Sequence, residues 1–158
     1  MKKILLAAIV GLTGLLSSTA QAQSATANFN VLINLTSACT LTAITDVAFT
    51  YTSFQTLAQP ATGGAFNVSC TNLRPYTFGL VAGPGGAAPG AATINVTDAA
   101  LNLAYTLGTS AAGGTGNGAA QGYSVTGTMA GGQSGTCATA TCNNTGSANR
   151  VQTLVVNF

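Results

Sequence analysis

Odd positions from Ala25 to Leu35 are Ala25, Ala27, Phe29, Val31, Ile33 and Leu35, and the even positions between them are Thr26, Asn28, Asn30, Leu32 and Asn34. An apolar residue at every second place is the period of a β-strand with one buried face. The pattern predicts a strand and raises the question of whose sheet it joins, this chain's own or a neighbour's.

The same period returns along the rest of the chain. Thr40 to Ile44 and Val47 to Phe54 read as short strands, with Val47, Phe49 and Tyr51 on one parity. Ala65 to Cys70 alternates through Phe66, Val68 and Cys70, and Tyr76 to Ala82 through Tyr76, Phe78 and Leu80. Thr93 to Thr97, Leu101 to Leu107, Tyr123 to Met129 and a last segment, Val151 to Phe158, complete the set. Between them, residues 59–64 read as a turn, 83–90 and 131–148 as loops, and 108–122 as a long mobile connection of small residues. Beyond the first 22 residues no apolar stripe recurs at helical spacing, and no fixed-period repeat is visible. Short strands separated by Gly/Pro-rich turns predict an all-β fold, a sandwich first and a barrel second.

The amino terminus changes the picture of where this domain works. Met1-Lys2-Lys3, an apolar run from Ile4 to Leu16 and the end Ala20-Gln21-Ala22 have the form of a secretory signal peptide. The run is short for a bilayer span, which takes about 20 residues. Cleavage after Ala22 leaves 136 of the 158 residues, one domain's worth. It also removes both lysines, so Arg74 and Arg150 balance Asp46 and Asp98 at zero formal charge. Such a surface cannot neutralise a row of phosphates, which argues against a nucleic-acid partner and against a basic membrane patch. Nothing on it repels a neighbouring copy either.

Catalytic chemistry finds few candidates. The chain has no His and no Glu, and Asp46 and Asp98 sit singly near strand ends, where aspartates usually hold turns. The reading is therefore non-enzymatic, with no cofactor, no metal and no small-molecule substrate. Cys39, Cys70, Cys137 and Cys142 are even in number and, in an exported chain, expected to form two disulfides. Nearest-neighbour pairing joins Cys39 to Cys70 and Cys137 to Cys142, although three pairings are possible in principle.

An alternating strand ending shortly before a cysteine (Phe29-Asn30-Val31-Leu32-Ile33-Asn34-Leu35-Thr36-Ser37-Ala38-Cys39) resembles the spore coat protein U domain family. So do a second cysteine closing an alternating strand (Phe66-Asn67-Val68-Ser69-Cys70) and the ending Leu154-Val155-Val156-Asn157-Phe158. The chain departs from the family pattern at Ala148 and Arg150, where a Tyr and an Asp are usual, and in the extra Cys137/Cys142 pair. The resemblance implies a subunit of an archaic chaperone–usher pilus of Gram-negative bacteria, exported through the periplasm to the cell surface, with a role in adhesion or biofilm formation. It implies an incomplete, pilin-type, immunoglobulin-like sandwich that a donor strand completes. On that reading residues 1–22 are the signal peptide, 23–38 the donor segment and 39–158 the sandwich domain. Ala27, Phe29, Val31, Ile33 and Leu35 are then the side chains offered to a neighbouring subunit. Leu154, Val156 and Phe158 mark the strand where a periplasmic chaperone pairs before an outer-membrane usher exchanges it for the next subunit. The competing reading is a monomeric secreted sandwich that keeps Ala25–Leu35 as its own first strand and binds a carbohydrate or surface ligand.

Overall fold

The computed structural model describes residues 24–158, and the signal-peptide reading of residues 1–22 lies outside them. The chain divides into two units, residues 1–34 and residues 35–158. In the first, the described residues 24–34 form neither helix nor strand and are exposed throughout.

The second unit is built of strands, and no helix occurs among the described residues. In chain order these are β1 (Cys39–Leu41), β2 (Val47–Ala48), β3 (Gln59–Pro60), β4 (Thr62–Gly63), β5 (Ala65–Cys70) and β6 (Pro75–Ala82). They continue with β7 (Ile94–Thr97), β8 (Ala104–Thr109), β9 (Gly113–Thr115), β10 (Ala120–Met129) and β11 (Gln152–Asn157). One sheet runs β1-β5-β10-β8-β7, with β3 added to the end of β10. A second runs β11-β6-β9, and β2 pairs with β4. Every pairing is antiparallel.

The fold is all-β and sandwich-like, and the alternation in the sequence explains its core. On β5, Phe66, Val68 and Cys70 are buried while Ala65 and Asn67 are exposed, and β6 buries Tyr76, Phe78 and Leu80. The two inner faces meet through aromatic contacts. The Phe66 and Phe78 rings lie 5.3 Å apart edge to face, and Phe78 and Tyr123 lie 4.8 Å apart. Such pairs contribute about 0.5–1.5 kcal/mol beyond the area they bury.

Where elements differ from their expected bounds, side-chain hydrogen bonding is the usual cause. The first domain strand ends at Leu41 rather than Ile44. Thr42 and Thr45 donate their N–H groups to Asn67 O and Ala65 O, both at 3.0 Å, yet take the return bonds on their hydroxyls, both at 2.8 Å. The hydroxyls stand in for carbonyls and the regular ladder stops. The expected strand Val47–Phe54 keeps only Val47–Ala48: its partner β4 is two residues long and is followed by Gly64 in a left-handed conformation, φ 75°. Leu101–Leu107 begins instead at Ala104, since Asp98 Oδ1 accepts the N–H groups of Ala100 (3.0 Å) and Leu101 (2.8 Å) and folds those residues into a turn. The segment expected to be a mobile connection, residues 108–122, holds β9. Its Gly113 lies so close to β6 that a Cβ there would sit 2.2 Å from Tyr76 O.

Candidate functional site

The second sheet has one long unfinished side. Strand β11 pairs along one edge with β6, from Gln152 opposite Ala82 to Asn157 opposite Thr77. Along its other edge no strand pairs among the described residues. A free edge exposes a row of backbone donors and acceptors and is a template for another strand.

The side chains on this strand are as unfinished as its backbone. Leu154 and Val156 stand opposite Leu80 and Phe78 and share their inward face, because directly paired residues point the same way. Leu80 and Phe78 are buried, whereas Leu154 and Val156 pack on the core and remain half-exposed. The core is therefore open at β11.

A second partly open face comes from the segment that leaves β1. Ile44, Val47 and Phe49 pack against the same core and are also partly exposed. Tyr105 of β8 links the two faces: its ring centroid lies 5.5 Å from that of Phe49, and its hydroxyl accepts a hydrogen bond from Gln152 Nε2 at 3.5 Å. The result is an apolar strip flanked by an unpaired strand edge, with no charged side chain among the residues named.

Strand β11 is held rigidly from its other side. Gln152 Nε2 also donates to Asn149 O at 2.7 Å, and Gln152 Oε1 accepts from Gly83 N–H at 3.1 Å. Thr153 Oγ1 donates to Gly83 O at 2.7 Å, and Asn157 Nδ2 donates to Pro89 O at 3.0 Å. Asn149 in turn accepts from Ala99 N–H at 3.0 Å and donates to Thr97 O. Loops 83–90 and 143–149 thus fix the strand while leaving its open edge free.

Asp98 anchors the second of those loops. It is 2% exposed, and its Oδ2 accepts from Asn144 Nδ2 at 3.1 Å while Oδ1 takes the two turn N–H groups. Burial alone would raise its pKa, but the hydrogen bonds from Leu101, Asn144 and Ala100 outweigh it and hold the carboxyl below its ordinary value. The aspartate is a buried turn anchor, geometrically suited to structure.

The residues singled out in the sequence fall into three places. Cys39 bonds to Cys70 and Cys137 to Cys142, and the first pair bridges directly opposed residues of β1 and β5. Ala27, Phe29, Val31, Ile33 and Leu35 take no strand, and the large ones are open to solvent, with Phe29 84% and Ile33 83% exposed. Leu154 and Val156 line the open strip, while Phe158 lies just past the end of β11. Ile44, Val47 and Phe49 were not recognised as a wall of this strip. The shared parity of Val47 and Phe49 was visible, but their half-burial depends on what fails to cover them.

A family model, the Spore Coat Protein U domain, matches residues 25–153. No curated protein and no solved structure matches the chain.

Proposed function

Because the chain belongs to the Spore Coat Protein U domain family, we propose that it is the structural subunit of a cell-surface pilus, in which Ala25–Leu35 of one copy completes the sandwich of the next. Membership supports a structural surface role, and the finer reading draws on one observation. An alternating apolar segment lies fully exposed in a chain whose sandwich ends in an unpaired, half-covered strand. Each supplies what the other lacks: the segment has apolar side chains with nothing to bury them, and β11 has core surface and backbone groups with nothing to cover them.

In this reading, Ala27, Phe29, Val31, Ile33 and Leu35 enter the strip between β11 and Ile44–Phe49 of the acceptor. The four large side chains each gain about 1.5–3 kcal/mol on full burial, on the order of 10 kcal/mol together before ordering costs. A one-residue slip would turn that face to solvent, so the alternation fixes the register. A periplasmic chaperone covers Leu154, Val156 and Phe158 until an outer-membrane usher exchanges it for the incoming subunit, and the fibre serves attachment or biofilm formation.

The deciding experiment is deletion of residues 25–35 in a cell that supplies the chaperone and usher. The expected product is a chaperone-bound subunit that forms no fibres in electron micrographs. If the truncated protein unfolds while the intact one sediments as a stable monomer, the segment is a private strand and the reading fails.

A further inference from the structure

Two bulky apolar residues hold left-handed backbone conformations while exposed to solvent. Phe54 has φ 63° and is 71% exposed; Leu73 has φ 64° and is 78% exposed. Left-handed geometry at such residues costs of order 1 kcal/mol or more and persists only where the surroundings impose it. Here Phe54 N–H donates to Gln133 O and Leu73 N–H to Gly116 O, both at 2.8 Å. Each loop is locked in a form that presents its apolar side chain outward. Leu57, 78% exposed, lies in the same loop, its carbonyl accepting from Gln55 Nε2 at 2.8 Å.

The patches occupy opposite poles of the sandwich. Strand β10, ten residues and so about 33 Å long, begins opposite Ser69 and ends opposite Tyr105. The Phe54 loop sits at its far end: Gln133 bonds the backbone of Ala104, and Gly132 N–H donates to Gln55 O at 2.7 Å. The first residue of β11, Gln152, is at that same pole through Tyr105. Leu73 sits at the near end, beside Thr71, whose N–H donates to Ala38 O at 2.9 Å, and beside the Cys39–Cys70 bridge.

We infer that successive subunits also meet pole to pole, Phe54 and Leu57 of the acceptor packing on Leu73 of the donor; this rests on the strand-donation reading. Every strand pair in this fold is antiparallel. Antiparallel addition to β11 places Leu35 of the donor at the Gln152 end, the Phe54 pole of the acceptor. Only Thr36, Ser37 and Ala38 then separate Leu35 from Cys39, which the disulfide fixes at the donor's Leu73 pole. Four residue steps reach at most about 14 Å. So short a tether brings the Leu73 pole of one copy against the Phe54 pole of the next. The contact is heterologous, a knob on one end and a different surface on the other, which is the geometry of an open chain and not of a closed ring.

The test replaces Phe54 with the photo-crosslinker p-benzoylphenylalanine in the full chain, assembles fibres with chaperone and usher, irradiates them and boils them in detergent. A covalent ladder is expected, with the crosslinked peptide containing Leu73, and Leu73→Ser in the same background should reduce that ladder at least five-fold while fibres persist. Fibres that give no ladder, or crosslinks that map away from the Leu73 loop, overturn the inference and leave strand donation standing. If the unsubstituted protein forms no fibres, strand donation fails and takes this contact with it; electron micrographs separate the two failures.

Discussion

The hydroxyl oxygens of Tyr76 and Tyr123 lie 2.7 Å apart, where the two sheets face each other. Either hydroxyl can donate in that pair, and Tyr76 Oη also has Gln121 Oε1 as an acceptor at 3.0 Å. Burial first, and then the hydrogen bond with Tyr123, push the Tyr76 pKa up to about 12. An unfolded tyrosine ionises near pH 10. Between those values the unfolded chain has released a proton that the folded chain still holds, so unfolding is favoured as pH rises. The contribution is fully present below about pH 10 and is lost progressively toward about pH 12. Urea midpoints across that window should fall more steeply for the native protein than for Tyr76→Phe, although the variant is less stable by about 1 kcal/mol at neutral pH for want of the Gln121 bond.

Removal of the Asp98 carboxyl should be costly for a single polar substitution. Asp98→Ala leaves the N–H groups of Ala100 and Leu101 and the Asn144 amide without their partner in a buried site. Hydrogen bonds to a charged group are worth about 1.5–3 kcal/mol, and the expected loss by denaturant titration is at least that. The pH dependence runs opposite to that of Tyr76. A carboxyl with a depressed folded pKa stabilises the fold above its unfolded value near pH 3.9 and ceases to do so as acid protonates it. Asp98→Asn should flatten that acid limb.

The two disulfides should differ in weight. Cys39 and Cys70 are separated by 31 positions, Cys137 and Cys142 by 5. On the chain-entropy account the longer loop contributes about 3–4 kcal/mol and the shorter about 2 kcal/mol. The longer bridge also joins β1 to the core strand β5, while the shorter lies in an exposed loop. Paired Cys→Ser replacement of each bridge, followed by thermal unfolding, should lower Tm more for Cys39/Cys70.

How far the sequence reveals this molecule depends on whether a position is set by its own neighbours or by distant ones. The inward runs Phe66-Val68-Cys70 and Tyr76-Phe78-Leu80 were legible because period two and apolar side chains coincide there. Strand β9 was not, since Gly113 and Gly114 carry no side chain to show a period and pair because they lack one. The end of β1 at Leu41 was hidden in the choice of Thr42 to bond through its hydroxyl. Of the open strip, Leu154 and Val156 could be read from their parity, whereas Ile44, Val47 and Phe49 could be read only as a strand. That they form a wall follows from the absence of a covering strand, and a local pattern does not record what is missing from elsewhere.

Ile33→Asp offers the sharpest test of the exposed segment, because position 33 stands on its apolar face yet is 83% exposed in the single chain. An aspartate there faces solvent in the single chain, so secretion, chaperone binding and thermal stability of the subunit should match those of the native protein. In a fibre the same carboxylate would be carried into the strip beside Leu154 and Val156, where no cationic side chain is available among the residues that line it. Burying an unpaired charge costs several kcal/mol in practice, enough to cancel much of what the three remaining large side chains contribute. Fibre yield should fall at least ten-fold, while Asn34→Asp, one residue along and on the polar face, should leave it within two-fold. Normal fibres from Ile33→Asp would show that this face is not what the neighbouring subunit buries.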